Sequence, residues 1–221
     1  MNLGALSPAF ILLTVVSLAL APFVAVMVTS FTKIVVVLSL LRNALGTQNV
    51  PPNVVVNGLA LIMSIYVMYP VILDSYDAMS QRAAAVGQKD KVDAGRLIDL
   101  AVNSKEPLRG FLMKHASDGE RAFFLQTARQ LLPKESNQVE ANDFIVVVPA
   151  FTVTELTAAF QIGFLIFLPF LIIDMIVSNV LLSLGMQMLS PTTVSLPFKL
   201  MLFVFVGGWA KLVHGLVLTY R

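Results

Sequence analysis

The chain has 221 residues, of which 57% are hydrophobic, and its formal net charge is +2. This composition is too apolar for a typical soluble domain. The near-neutral charge, without a basic cluster among aromatic residues, argues against nucleic-acid binding, and the absence of cysteine excludes disulfides and thiolate metal sites.

The charges of the chain are concentrated in its middle. Residues 75–143 hold ten of the 15 Lys and Arg residues and ten of the 13 Asp and Glu residues, while the flanking segments are almost uncharged. Helices suit the apolar segments, because backbone groups in lipid must be satisfied internally. We predict an all-α protein with N-terminal apolar helices over residues 1–74, a polar helical middle domain over 75–143, and a C-terminal apolar helical hairpin over 144–221.

The first apolar run, residues 8–41, is too long for one straight span of about 20 residues. Tilt, a kink at Pro22, or a helix that leaves the membrane could accommodate its length. The lack of Lys or Arg before residue 33 predicts that no secretory signal peptide is present. After a turn at residues 42–52, a second apolar run covers residues 53–73 and is expected to end near Pro70.

Short helices are predicted in the middle domain. Apolar residues recur there at helical spacing at Ala94, Leu97, Ile98 and Ala101. Pro107 suits the first turn of a second helix, because a helix does not need the N–H group that proline lacks there. Ser117 or Asp118 can cap a third helix, which Pro133 ends.

The second and third of these helices carry an apolar face among charged residues. Its members are Leu108, Phe111, Phe123, Phe124 and Leu131. A small helical domain must cover such a face with itself or with a neighbour. We predict an oligomer interface at Phe111, Phe123 and Phe124, and we expect Phe124→Asp to weaken assembly more than membrane insertion.

Two long apolar stretches near the end of the chain flank one short connector, residues 185–191 (GMQMLSP). Each stretch is long enough to span a bilayer as a helix, so the pattern predicts a helical hairpin. Met186, Gln187 and Met188 lie in its turn. Methionine in an apolar protein often fills gaps, but its flexible thioether also adapts to varied partners. These three residues are therefore a candidate gate, with packing as the alternative.

Three of the charged residues in the hairpin are costly. Glu155, Asp174 and Lys199 would each cost about 3 kcal/mol if unpaired at the bilayer centre. They either face water or pair across helices or subunits. If the helices end near Leu184 and restart near Leu196, Lys199 lies about 5 Å below the turn, Asp174 about 15 Å and Glu155 about 43 Å. We therefore predict that Glu155 and Lys199 pair between subunits, with Asp174 as a further membrane charge.

No enzyme motif occurs in the sequence. It lacks a Gly-x-Ser-x-Gly nucleophile elbow, a His-Glu-x-x-His zinc motif and a phosphate-binding loop. The two histidines, His115 and His214, are isolated. Glu155 and Asp174 lie about 100° apart around a straight helix, so one helix would not form a carboxylate pair. We predict no catalytic residue, no metal site and no cofactor.

Several motifs resemble the FliP/SctR family, the core export-gate proteins of flagellar and virulence type III secretion systems. Residues 149–156 (PAFTVTEL) and 159–164 (AFQIGF) are similar to its first signature. Residues 197–199 (PFK), followed by an apolar run and Gly208-Trp209, resemble the second. The turns at residues 42–46 (RNALG) and 184–191 match as well, so the resemblance covers both apolar halves.

The resemblance implies a non-enzymatic, pore-forming subunit that gives unfolded proteins a path across the bacterial inner membrane. It implies a homo-oligomer, a pentamer in the family, with SctS/FliQ-type and SctT/FliR-type partners. The helices are expected to form a tilted cone partly raised towards the periplasm, in contact with membrane lipid. Neither periodicity nor composition indicates these points.

Two positions depart from the family pattern. Gly207 stands where the family usually has Asp, and Gln187 interrupts its run of methionines. The lack of a predicted signal peptide favours the injectisome branch over the flagellar one.

A secondary transporter or small-solute channel is the alternative function. Transporters often carry internal repeats around a midplane site, and no convincing repeat relates residues 8–74 to 144–218. Purification discriminates between the two, because a gate subunit should co-purify as a large complex whereas a transporter can work alone.

Overall fold

The computed structural model describes residues 8–47, 50–85, 105–132 and 138–221, and every regular element in these ranges is a helix. The helices are α1 (Pro8–Met27), α2 (Phe31–Leu45), α3 (Asn53–Ala85), α4 (Glu106–His115), α5 (Asp118–Leu131), α6 (Phe144–Ser183), α7 (Pro191–Phe205) and α8 (Gly208–Leu218). The predicted all-α class is confirmed.

The long first apolar run forms two helices, and the bend between them does not lie at Pro22. Pro22 is inside α1, and the segments Leu18–Met27 and Phe31–Leu45 meet at 65°. The turn has local polar support, because the Thr32 hydroxyl donates to the Val26 carbonyl at 2.9 Å. The first apolar run, which is too long for one straight span, is therefore divided into two helices by this bend.

The helix that contains the second apolar run continues beyond the end of that run. Helix α3 passes through Pro70 and ends at Ala85. Proline inside an apolar helix is tolerated where neighbouring groups compensate for the lost hydrogen bond. The helix also crosses the predicted boundary at residue 74 without a break, and the division into three regions stays a prediction.

Helix α2 packs along α6 in the interior. Ile34, Val37 and Leu38 of α2 belong to one buried cluster with Ala159 of α6. The helices approach closely at Gly163, where an added methyl group would overlap the Leu40 side chain. Small residues permit such close helix contacts in membrane proteins, and α2 is thereby held against the middle of α6.

The two middle helices pack against the first turns of α6. The Ser117 hydroxyl caps α5 by accepting from the Glu120 N–H at 3.2 Å, as predicted, and Pro107 lies in the first turn of α4. The Ser117 N–H in turn donates to the Thr154 hydroxyl of α6 at 3.0 Å. The predictions at Ala94, Leu97, Ile98, Ala101 and Pro133 lie outside the described residues.

The C-terminal hairpin is present, but its second arm is broken. Helix α6 ends at Ser183 and α7 begins at Pro191, so the predicted connector is confirmed. Helices α7 and α8 meet at 61°, and Gly207 between them has a φ of +66°, in the left-handed region where a side chain is strained. The asparagine and aspartate side chains tolerate that region best, which suits the Asp of the family pattern.

Two segments are long and apolar enough to cross a membrane, Asn53–Ser80 and Phe144–Ser183. The bent pairs α1–α2 and α7–α8 raise the number to four within the described residues if each is one span. In α6 only 11% of the most apolar window is buried within the chain. Lipid or other subunits must therefore cover most of this helix, because such a surface is unfavourable in water.

Candidate functional site

A buried ion pair, here called the junction pair, joins Lys33 of α2 to Glu155 of α6. The Lys33 Nζ lies 3.1 Å from Glu155 Oε1, and the two side chains are only 5% and 3% exposed. The Tyr220 hydroxyl donates to the other oxygen of Glu155. Lys33 also donates to the Thr219 hydroxyl at 3.3 Å and lies 4.0 Å from the centre of the Tyr220 ring. Both charges are thus fully partnered within one chain.

Aromatic rings connect the junction pair to α4. Phe111 stacks on the Tyr220 ring at 6.1 Å and tilts against Phe151 at 5.7 Å, and the His115 ring meets Tyr220 edge-on at 5.2 Å. Burial, followed by the charges of Lys114 and Lys33, lowers the pKa of His115 from 6.5 to about 4. His115 is therefore neutral at pH 7 and packs as an aromatic ring.

The phenol of Tyr220 is also perturbed. Burial, and then the Glu155 carboxylate beside it, raise the pKa of the Tyr220 hydroxyl above its ordinary value. The hydroxyl consequently stays protonated and acts as a donor to Glu155. The middle helices, α2, α6 and the residues after α8 thus meet at one polar and aromatic junction.

A second ion pair, here called the hairpin pair, ties the two arms of the hairpin together. Asp174 Oδ2 of α6 accepts from Lys199 Nζ of α7 at 2.6 Å, and Asp174 Oδ1 accepts from the Ser195 hydroxyl at 2.5 Å. Lys199 also donates to the Ala44 carbonyl in the last turn of α2 at 3.1 Å. Helix C-termini carry partial negative charge, so this ammonium suits its position. One lysine thereby joins three helices.

The two ion pairs give Glu155 and Lys199 partners within one chain, whereas we predicted that these two residues pair with each other between subunits. Glu155 pairs with Lys33, and Lys199 pairs with Asp174. The predicted geometry failed because α7 begins at Pro191 and not near Leu196. Lys199 therefore lies about 12 Å below the turn, close to the level of Asp174. With both charges partnered, the reason for a pair between subunits disappears.

The predicted gate residues lie in an exposed turn with its own hydrogen bonds. The Met186 N–H donates to the Leu181 carbonyl at 2.9 Å and the Gly185 N–H to the Leu182 carbonyl at 3.1 Å. These two backbone hydrogen bonds are typical of a helix C-terminus that ends in a residue with positive φ. Here that residue is Gly185, with a φ of +72°. The Met188 side chain is 100% exposed and that of Met186 is 45% exposed.

The predicted oligomer interface divides into a covered and an uncovered part. Phe111 is buried against α6 and Tyr220, and Phe124 packs beside Val146 and Val147 at the start of α6. The prediction that Phe111 faces another subunit is therefore wrong, because its own chain covers it. Phe123, in contrast, is 59% exposed, and Phe124 is only partly buried, so both keep surface that a neighbour can cover.

Sequence reasoning missed the partners of the membrane charges. Position 33 entered the sequence analysis only as the first basic residue of the chain, and Thr219 and Tyr220 did not enter it. The signal that could have found Lys33 is the cost of a charge in an apolar helix, which requires an opposite charge nearby. Glu155 and Asp174 each indicate a basic partner, and Lys33, Lys199 and Lys211 are the candidates within the apolar segments. The assignment of partners needs the packing of the helices.

The comparisons with known proteins agree with the motifs. A family model described as the FliP family matches residues 12–216. The hypersensitivity response secretion protein HrcR of Ralstonia nicotianae is 48% identical over 214 residues, which cover 96% of this chain and 97% of that protein. The Yop proteins translocation protein R of Yersinia pestis is 47% identical over 204 residues, or 92% of each chain. The virulence protein YscR of Salmonella typhimurium is 41% identical over 206 residues, again 92% of each chain.

Proposed function

Because the chain belongs to the FliP family, we propose that it is the core pore-forming subunit of a type III secretion export apparatus. In this role it gives unfolded polypeptides a path across the bacterial inner membrane, with part of the assembly projecting towards the periplasm. Relatives named as translocation and virulence proteins support a role in an injectisome rather than a flagellum. Their names describe secretion components and not enzymes, and we propose no catalytic role.

The observation that carries this proposal is the exposed hairpin of α6 and α7. Large apolar side chains stand on the outside of both arms, among them Phe164, Leu165 and Ile176 of α6 and Phe205 of α7, each more than half exposed. Such walls require lipid or other apolar helices around them. The turn at their end presents Met186 and Met188. A ring of such hairpins has apolar walls and a methionine-lined constriction.

The hairpin pair gives the turn a fixed position. Asp174 and Lys199 connect the arms, and the bond from Lys199 to the Ala44 carbonyl connects both arms to α2. A gate that must reclose after each passage needs its walls to return to one geometry. A buried, geometrically restricted pair supplies that restriction, since its hydrogen bonds form in only one register of the two arms.

The turn that carries Met186, Gln187 and Met188, here called the Met turn, can seal a pore and still admit a polypeptide. Several copies around an axis bring Met186 and Met188 of each copy to one level. A narrow apolar ring blocks ions by dewetting, and thioether chains with three rotatable bonds part around a passing chain at low cost. Gln187 adds amide groups to this ring, so we expect a leakier seal than an uninterrupted run of methionines, closed further by partner subunits.

Assembly is part of the proposal. We propose a homo-oligomer, a pentamer by analogy with the family, together with SctS/FliQ-type and SctT/FliR-type subunits. The exposed apolar walls of α6 and α7 and the exposed Phe123 on α5 are surfaces that neighbours can cover. The middle region, residues 75–143, is proposed as a polar unit that α4 and α5 attach to α6.

The gate is tested by Met186→Ala with Met188→Ala in the full secretion core. We expect the complex to assemble, while the permeability of the cell membrane to small ions or a dye rises, because the apolar ring becomes wider. The matched control is Met175→Ala with Met201→Ala, which removes two exposed methionines from the arms of the hairpin. Normal permeability in an assembled Met186/Met188 variant, or an equal leak in the control, returns the turn to a packing role.

A further inference from the structure

An apolar groove lies where α2, α6, α7 and α8 meet, on the inner side of the bend between α7 and α8. Its volume is about 590 Å³, within the range of about 300 to 1,000 Å³ that is typical of small-ligand sites. Leu41, Ile166, Phe170, Phe203 and Leu212 are among the residues that line it. The Met turn and both ion pairs lie outside this lining, so the proposed gate does not use the groove.

One charged residue lines the groove. Lys211 lies on α8, its side chain is exposed, and it forms no ion pair within the described ranges. A lysine between apolar helices extends its stem along the apolar surface and places the ammonium where it meets an anion. An apolar cleft with one cation at its side therefore has the chemistry of an amphipathic anion site.

The lining and the charge of the groove favour an amphipathic occupant. In a membrane, an acyl chain with an anionic headgroup combines apolar contact along the lining with the charge that complements Lys211.

We propose that this groove binds one acyl chain of an anionic phospholipid, whose headgroup phosphate pairs with the Lys211 ammonium. Basic pockets between membrane helices are known to hold such headgroups. The bound lipid fills the space under the bend at Gly207-Gly208 and supports the position of α8 relative to α2 and α6. This proposal does not depend on the export role, because it needs only a membrane around the chain.

Gly215 offers a direct way to fill the groove. It lines the cleft, and a methyl group added there meets no other atom within 4 Å. Gly215→Leu should place its side chain in the space of the acyl chain without disturbing the helices. Gly58→Leu on α3 is the matched control, because its added carbon also meets nothing within 4 Å and it does not line this groove.

The headgroup contact is tested by Lys211→Gln. His214→Gln is its control, since His214 is exposed on the same helix and does not line the groove. One lysine near a membrane surface is worth about 1 kcal/mol towards anionic lipid, or about a five-fold preference. We expect Lys211→Gln to lose about that preference for phosphatidylglycerol over phosphatidylethanolamine, and His214→Gln to keep it.

Native mass spectrometry of the purified secretion complex counts the phospholipids retained per chain. We expect one phosphatidylglycerol per chain in the unmodified complex and in Gly58→Leu, and its loss in Gly215→Leu. Equal lipid retention in Gly215→Leu overturns the proposal, as does a crosslink from the groove to a neighbouring subunit in the unmodified complex.

Fluorescence of the full chain in vesicles gives a second measurement if Gly215→Leu does not assemble. Trp209 is the single tryptophan of the chain, and its ring lies 5.5 Å from that of Phe203, which lines the groove. Phosphatidylglycerol with brominated acyl chains, added at low fraction to phosphatidylcholine vesicles, should quench Trp209 saturably. Quenching that only follows the bulk lipid fraction, or that is unchanged in Lys211→Gln, contradicts the proposal.

Discussion

The junction pair and the hairpin pair both neutralise charged side chains within apolar helices, but their surroundings differ. Lys33 and Glu155 are enclosed almost completely, with side chains 5% and 3% exposed, whereas Asp174 of the hairpin pair is 25% exposed. The junction pair has a helix of the middle region and the residues after α8 around it. The hairpin pair has neighbours on one side, and the apolar arms around it are open.

This difference distinguishes a region whose contacts are complete within one chain from a region whose apolar surface is left for other subunits or lipid to cover. Around the junction pair each charge and aromatic ring has a partner in the same chain, so this region serves the fold. Around the hairpin pair the charges are satisfied but the apolar side chains are not covered. In the hairpin, the bonds of Lys199 to Asp174 and to the Ala44 carbonyl fix the two arms against α2, and with them the position of the Met turn.

The largest expected effect comes from breaking the junction pair. Lys33→Met leaves Glu155 buried without a counter-charge and should lower the free energy of unfolding by about 3–5 kcal/mol. Denaturant unfolding of the purified chain in detergent measures this loss. Lys33→Met combined with Glu155→Leu should recover much of it, because no unpaired charge remains.

The exposed pair of Glu106 and Arg109 on α4 provides the control for this experiment. Arg109→Ala should cost less than about 1 kcal/mol, because water screens exposed ion pairs. If Lys33→Met costs no more than this control, the junction pair is not the fixed point of the fold.

A smaller effect is expected at the hairpin pair. Lys199→Met should lower the free energy of unfolding by about 1–3 kcal/mol, since water reaches part of the Asp174 carboxylate that it leaves behind. Spin labels on α2 and α7 should report a broader distance distribution, because the bond to the Ala44 carbonyl is also lost. An unchanged distribution contradicts the role of Lys199 in holding the hairpin.

Reversal of the hairpin pair sharpens this result. Asp174→Lys with Lys199→Asp restores opposite charges, but an aspartate at position 199 cannot donate to the Ala44 carbonyl. We therefore expect assembly to improve over either single reversal and to stay below that of the unmodified chain. Complete recovery would show that the contact to α2 contributes nothing.

The smallest effect concerns His115 beside the junction. Its pKa is lowered to about 4 in the folded chain from an ordinary value of 6.5, so the unfolded state binds the proton more readily between these values. Stability from this group is therefore present above pH 6.5 and is lost as the pH falls towards 4. Thermal unfolding of His115→Gln should show a weaker dependence on pH across this interval, and an identical dependence would remove His115 as its source.

The sequence by itself determined the helical elements and the class of protein. Long apolar runs can exist in lipid only as internally hydrogen-bonded structure, so the helices and the hairpin follow from composition. Single residues also determined where helices begin, as at the Ser117 cap of α5 and at Pro191, the first residue of α7. The extended motifs identified the family, since they need no knowledge of the fold.

Only the tertiary structure decided which residues meet. Lys33 and Glu155 are far apart in the chain, and no local periodicity says that α2 lies against α6. That contact depends on the close approach at Gly163 and Leu40. The start of α7 similarly decided that Lys199 reaches Asp174. Helix formation is a local property of the chain, whereas the choice of partner depends on how whole helices pack. The cost of Glu155, Asp174 and Lys199 could therefore be predicted from the sequence, but their partners could not.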